Sequence, residues 1–344
     1  MSTPPAPATP TPPPPPDPAA SRGRIGLWGP PASGKTTFLA ALGLALDRGD
    51  FPWLLYGRDE WSNTFLSSHT DLLRQKTFPP ATTDLSRELS WVFRGSRTIR
   101  EGRLLRRSTR EVVSELDLEL IDAPGGYFIG RSQPAEPSRV RFDDDDDEEE
   151  SQEERLYRHL GACHGLIYLF DPTRERTRKD SYDYFHHTVL QIARRSAARS
   201  GDRFLPQHLA VCITKFDHPH VYGPAFKNGF IDQTLNPQHF PAVPDDLAEE
   251  LFEFLGEADR ESSAVLLRNS IRRHFHPDRT RYFMTSAVGF YLDPDLGRFR
   301  HSQYWNVVEE EGDEGRTSRI LGDVYPVNVV EPLAWLAETL LPRS

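Results

Sequence analysis

The stretch Gly29-Pro30-Pro31-Ala32-Ser33-Gly34-Lys35-Thr36 constrains this chain more than any other. It fits GxxxxGK[ST], follows the apolar run Ile25 to Trp28, and opens a helical pattern that begins Thr37-Phe38-Leu39-Ala40-Ala41. Glycine at both ends of such a loop lets successive backbone N–H groups turn inward at a helix N-terminus, where they meet anionic oxygens. On this reading Gly29, Ser33, Gly34, Lys35, Thr36 and Thr37 cradle a phosphate chain, Lys35 reaches its terminal groups and the Thr36 hydroxyl faces Mg²⁺. The bland alternative is an ordinary Gly/Pro turn before a helix, which the strand before and the apolar helix after make a poor fit.

Around that loop, short apolar runs alternate with helical patterns, which predicts an α/β fold: three layers, with helices on both faces of a mostly parallel sheet. Strands are expected at Ile25 to Trp28, Leu89 to Arg94, Leu118 to Asp122, Leu166 to Asp171, Leu209 to Thr214 and Tyr282 to Thr285. Helices are expected at Lys35 to Leu46, Gln152 to Leu160, Ser181 to Ala198, Leu247 to Leu255, Ser262 to Arg273 and Glu331 to Leu340. Residues 1–22 are mostly Pro, Ala, Thr and Ser and read as a disordered tail. One domain is expected over 23–342, with insertions at about 47–80, 131–152 and 218–248. The middle insertion contains eight consecutive carboxylates, Asp143 to Glu150, whose mutual repulsion predicts an open, solvated loop.

Three downstream patterns bear on which ligand the loop serves. The strand Leu118 to Asp122 ends in Asp122-Ala123-Pro124-Gly125, a DxxG in which Asp122 could hold Mg²⁺ through water and the Gly125 amide could meet a γ-phosphate; Asp-x-Pro-Gly is also a common turn. A second strand runs into Thr214-Lys215-Phe216-Asp217. Only five lysines occur in the chain, and two of them, Lys35 and Lys215, fall inside these motifs. A third strand ends in Thr285-Ser286-Ala287.

Taken together, GxxxxGKT, DxxG, TKxD and the Ser286-Ala287 loop resemble the Ras-like, TRAFAC-class P-loop GTPases. The stretches Gly29 to Leu42, Gly165 to Thr173 and Val327 to Leu336 look like the bacterial double-GTPase group. The resemblance implies a G domain that binds guanine nucleotide with Mg²⁺, with Thr214, Lys215, Asp217, Ser286 and Ala287 around the base. Asp217 would accept the guanine N1 and N2 hydrogens, a donor pair adenine lacks. It also implies a regulatory GTPase working beside protein partners in a bacterial multi-protein system. A switch threonine should precede the strand near Leu89: Thr82 and Thr83 lead, Thr77 is third, and Ala81 to Asp84 reads equally well as a cap or turn. Where many small GTPases have a water-orienting glutamine after DxxG, this chain has Gly126, so weak intrinsic hydrolysis is expected. Arg131, Arg174 and Arg176 are candidates to compensate, against the plainer reading of solvated arginines. An ATP-using P-loop ATPase or kinase, and a guanine-nucleotide-binding module that does not hydrolyse, stay open as alternatives.

A net charge of -10 argues against broad attraction to nucleic acid or anionic lipid. No apolar run suffices for a transmembrane segment and no signal peptide is evident, so a cytoplasmic protein is expected. Cys163 and Cys212 read as buried free thiols without metal-ligand spacing. The histidine pairs 186/187, 218/220 and 274/276 read as surface or satisfied core groups, and Trp28 and Trp91 as core, with stacking near a nucleotide as the alternative.

Overall fold

The computed structural model describes residues 23–49, 51–80, 89–101, 108–120, 152–197, 202–234, 239–258, 262–312 and 315–340. Thr82, Thr83, Asp122, Gly125, Gly126, Arg131, the acidic run and the N-terminal tail lie outside these residues.

The chain opens with β1 (Gly23–Trp28) and α1 (Lys35–Arg48), followed by β2 (Trp53–Gly57), α2 (Glu60–Arg74), β3 (Leu89–Glu101) and β4 (Ser108–Leu120). Then come α3 (Gln152–Ala162), β5 (Gly165–Phe170), α4 (Pro172–Arg178), α5 (Ser181–Ala197), β6 (His208–Ile213), α6 (Pro219–Lys227), α7 (Ala248–Ala258), α8 (Ala264–His274) and β7 (Thr280–Met284). Two short hairpins, β8 (Leu292–Asp293) with β9 (Arg298–Phe299) and β10 (Val307–Gly312) with β11 (Gly315–Ile320), precede α9 (Glu331–Leu340).

Seven strands form one sheet in the order β2-β3-β4-β1-β5-β6-β7. The five strands from β4 to β7 run parallel, whereas β2 and β3 pair antiparallel at one edge. Burial on both faces explains why the central strands read as unbroken apolar runs: every residue of β5 is buried. Alternate side chains divide two cores between the faces. Leu166, Tyr168 and Phe170 pack with Trp28, Phe185 and Leu267 on one side, whereas Ile167 and Leu169 pack with Leu39, Leu42 and Leu333 on the other. The expected three-layer α/β class is the observed one.

The 47–80 segment supplies β2 at the sheet edge and α2 against α1. Asp59 caps α2 by accepting from the Ser62 amide at 2.6 Å, and the Thr70 hydroxyl donates to the Ala40 carbonyl at 3.3 Å. The hairpin of β3 and β4 is also longer than expected, because its polar outer half continues the ladder as far as Glu101↔Ser108. Polar residues along that extension weaken the apolar alternation on which the sequence reading relied. The 218–248 segment likewise contributes α6 and the buried residues Tyr222, Phe230 and Phe240.

One buried carboxylate ties the helical layer together. Glu175 of α4 accepts from the Ser181 amide (3.2 Å) and the Ser263 amide (2.6 Å), and the Ser262 hydroxyl lies at 3.4 Å. Glu175→Ala strands one buried and one half-buried N–H group, at roughly 1–3 kcal/mol each when fully buried. We expect a loss of about 2–4 kcal/mol, read as a lower urea midpoint at unchanged slope, with Glu175→Gln losing less.

Candidate functional site

The turn between β1 and α1 is held by its own sequence. An added Cβ at Gly29 would lie 2.8 Å from the Leu169 carbonyl oxygen, so no larger side chain fits where the loop crosses β5. Gly34 meets no crowding but adopts φ +91, a left-handed value that favours glycine for conformational reasons. Among the described residues no side chain caps α1, and its first turn carries no acidic residue, so the positive end of the helix dipole is not answered by a carboxylate there. Lys35 is buried, with its ammonium donating to the carbonyls of Gly29 (3.0 Å) and Pro30 (3.2 Å). The buried Ser33 hydroxyl has no hydrogen-bond partner among the described residues.

A single cavity of about 430 Å³ runs from this loop to the C-terminal ends of β6 and β7. Ala32, Ser33, Gly34 and Thr37 line one end; Thr214, Lys215, Asp217 and Ala287 line the other. Gly29, Lys35, Thr36 and Ser286 are not among its lining residues. Of the threonines offered as switch residues, only Thr77 is described; it closes α2 with its amide on Leu72 O at 2.9 Å, and its neighbour Phe78 faces the cavity instead.

Asp217 is aimed by Ser286. The Gly289 amide donates to the Ser286 hydroxyl at 2.8 Å, which leaves that hydroxyl's own hydrogen for the Asp217 carboxylate at 2.5 Å. Ser286 is fully buried, and its hydroxyl holds the Asp217 carboxylate in place. Gly289 must be glycine: φ is +70, and a Cβ would lie 1.8 Å from the Tyr325 carbonyl oxygen. Burial raises the Asp217 pKa to about 6, against the opposing pull of Ser286 and Lys215.

Lys215 sits at φ 57, a strained value for lysine that costs on the order of 1 kcal/mol. Its ammonium lies 2.7 Å from the buried Asp171 carboxylate and donates to the Thr173 hydroxyl at 3.0 Å. The same carboxylate accepts from the Thr173 and Arg174 amides, capping α4. Asp171 thus fixes where the lysine stem runs.

A third set of lining residues comes from a distant part of the chain. Trp305, Val307, Glu309 and Ser318 of the β10–β11 hairpin and its approach line the same cavity as Lys215. Fully buried Asn306 anchors that wall by donating to the Val288 and Asp323 carbonyls and accepting from the Gly322 amide at 2.8 Å. Trp305 also packs edge-on against His218, whose pKa burial and His220 push down to about 4. A pattern of one Trp among polar residues far along the chain gave no sign of this placement.

Other candidates fall elsewhere. Arg174 is engaged with Asp180, and Arg176 is exposed on α4. Trp28 is packed between Tyr168 and Phe185, and Trp91 is buried with its indole N–H on the Ser62 carbonyl, so both belong to the core. His186 and His274 approach each other through Ser270, with no carboxylate bonded to either among the described residues. No helix among the described residues is long and apolar enough to cross a membrane.

No protein-family model matches the chain, and no curated protein matches it. Among solved structures, the chain is similar to the GTPase-like domain of Ski7 from S. cerevisiae bound to GTP, at 12% identity and TM-score 0.39, over 92% of this chain and 50% of that one. It is also similar to the signal recognition particle receptor SRb-GTP/SRX complex from Chaetomium thermophilum, at 13% identity and TM-score 0.31, over 81% and 97%. A bacterial selenocysteine-specific elongation factor, EF-Sec, aligns at 15% identity and TM-score 0.25, over 73% and 28%. The chain thus spans about half the length of the Ski7 chain. What defines the architecture is the chain's own geometry: a parallel sheet, a strand–GxxxxGKT–helix unit at its centre, and TKxD and Ser-Ala loops converging on the same cavity. The chain has a three-layer α/β fold with a P-loop, the strand–GxxxxGKT–helix unit, at the centre of its sheet.

Proposed function

We propose that this chain binds GTP and GDP and hydrolyses GTP slowly, as a regulatory switch in a bacterial multi-protein system of the double-GTPase kind. The observation that carries this reading is the shared cavity: the glycine loop lies at one end, and a buried carboxylate aimed by Ser286 lies at the other. A triphosphate would lie along the first turn of α1, with Lys35 leaving the Gly29 and Pro30 carbonyls for the β- and γ-phosphates. At the far end Asp217 would accept from the guanine N1 and N2 groups, the Ala287 amide would meet O6, and the Lys215 stem and Trp305 would enclose the base.

The donor set fits Mg²⁺ in part. Thr36 stands in the first turn of α1, a hydroxyl of the hard-oxygen type the ion prefers, and Asp122 would be its second protein partner. When bound, the ion would neutralise charge on the β- and γ-phosphates. Lys35 and the loop amides would stabilise charge on the transferring group during in-line attack by water, and Thr82 or Thr83 and the Gly125 amide would let go of the γ-phosphate as it leaves. Gly126 supports the slow rate, since it offers no side chain to orient that water.

Competition of unlabelled GTP and ATP against a fluorescent GTP analogue tests the reading. GTP is expected to displace the analogue and ATP to fail at a hundredfold excess, because adenine strands the Asp217 carboxylate. The same assay against pH checks the residue responsible. With a pKa of about 6, Asp217 is ionised above that pH and protonated below it. GTP affinity is expected to be flat from pH 7 upward and to fall about tenfold per unit below 6. Equal displacement by ATP would leave the ATPase or kinase reading standing, and binding without released phosphate would favour the non-hydrolysing module.

A further inference from the structure

On the face of the sheet covered by α3, three side chains from two elements converge on one point. Glu119 comes from β4, His159 from the last turns of α3, and Cys163 from the residue following that helix. The Glu119 Oε2 lies 2.9 Å from the His159 Nε2, the Cys163 Sγ lies 3.8 Å from the same nitrogen, and the three donor atoms all fall within 4.8 Å of one another. None of the three lines the nucleotide cavity. We infer that this cluster is a binding site for a single zinc-class transition-metal ion, separate from the phosphate chemistry.

The spacing fits the ion. With metal–sulfur near 2.3 Å and metal–nitrogen or –oxygen near 2.0–2.1 Å, a tetrahedral centre places sulfur and nitrogen ligands about 3.6 Å apart and nitrogen and oxygen ligands about 3.3 Å apart. The observed separations of 3.8 Å and 2.9 Å reach those values by shifts of a few tenths of an ångström, and the sulfur–carboxylate pair, within 4.8 Å, closes to about 3.6 Å by a movement of at most about 1.2 Å. A thiolate, an imidazole and a carboxylate together match zinc in softness and bring two negative charges to a dication, which suits a mostly buried position. Three protein ligands leave the fourth position for water.

Local structure supports the arrangement. His159 and Cys163 are four residues apart, and the Cys163 amide continues the helical turn by donating to the Leu160 carbonyl at 3.3 Å, so both side chains share a face. Gly26 of β1 makes room for the sulfur, since a Cβ there would stand 3.1 Å from it. Arg24 lies 3.9 Å from the other oxygen of Glu119, Oε1, and orients the carboxylate with Oε2 inward. A Cys-His-Glu relay is the competing arrangement, but sulfur and carboxylate both approach Nε2, and a relay needs the carboxylate on the opposite ring nitrogen. Burial raises the Cys163 pKa, so the free thiol is protonated and metal entry displaces that proton: the sulfur–hydrogen bond breaks, a sulfur–metal bond forms, and H⁺ leaves to water.

Cobalt(II) is the probe, added to chelator-treated full-length protein in excess Mg²⁺, which keeps the hard-oxygen ligands of residues 143–150 occupied. The expected result is one Co²⁺ per chain with a thiolate-to-cobalt charge-transfer band and the strong visible bands of a tetrahedral site, both removed by Zn²⁺. Cys163→Ser should abolish the charge-transfer band, and His159→Gln should weaken binding by on the order of tenfold or more. Absence of the band in the unaltered protein overturns the proposal whatever the variants do, and so does a band that survives Cys163→Ser. Loss of GTP binding would leave this result untouched, because the site shares no residue with the nucleotide cavity.

Discussion

Asp217→Asn is expected to exchange guanine for xanthine preference, with GTP affinity falling by about 10²–10⁴ and XTP overtaking it. The direction follows from the hydrogen-bond inventory. As a carboxylate, residue 217 only accepts, which matches two guanine N–H donors; as an amide it offers an NH₂, which matches the carbonyl that xanthine carries at C2. Ser286 makes the outcome sharper than it would be on a free side chain. Its hydrogen is committed to residue 217 by the Gly289 amide, so the asparagine oxygen takes the Ser286 side and its NH₂ faces the base. The variant also removes a buried charge, so its thermal midpoint should not fall. Competition of GTP, XTP and ATP on the purified variant measures all three affinities. Unaltered base preference would remove Asp217 from the site and the guanine assignment with it.

Lys35→Met is the second large effect: GTP affinity should drop by a hundredfold or more while the fold persists. At about 4 Å, an ammonium and a phosphate charge interact by about 4 kcal/mol at an effective dielectric of 20, and part of this is offset by withdrawing the ammonium from the Gly29 and Pro30 carbonyls. The net of roughly 3 kcal/mol corresponds to two orders of magnitude. Methionine keeps the apolar stem packed, so circular dichroism and thermal unfolding should stay close to those of the unaltered chain. GDP should lose less than GTP, because the γ-phosphate contact is absent from it. Equal losses for the two nucleotides would place the ammonium away from the terminal phosphate.

Some of this was written in contiguous residues. The glycine loop, its strand and its helix occupy one uninterrupted stretch, so periodicity and glycine placement located them, and α1 begins at Lys35 as expected. The central strands were legible because burial on both faces leaves only apolar residues. Where polar residues enter a strand, as along the outer half of β3 and β4, the same signal failed. Edge strand β2 is not legible, because five residues of strand give too short a pattern to separate from loop.

The residues that aim the candidate site were not legible. Asp171 reaches Lys215 across 44 positions, Ser286 reaches Asp217 across 69, and Asn306 joins the loop after β7 to the base of the hairpin that carries Val307 and Ser318. Nor does the spacing of Cys163 and His159 suggest a third ligand on a strand 40 residues earlier, where Glu119 sits between two leucines.

By itself, then, the sequence determined the local chemistry: which backbone can turn around an anion, which strands must be buried, and which side chains end those strands. Only the tertiary structure decided that the glycine loop and Asp217 border one cavity, that Ser286 bonds to the carboxylate, and that Trp305 lines the same cavity. The reason is physical. Backbone conformation and amphipathic periodicity are set by neighbours a few positions away, whereas hydrogen bonds between loops are set by how the sheet brings its strand ends together, and no residue's local context encodes that.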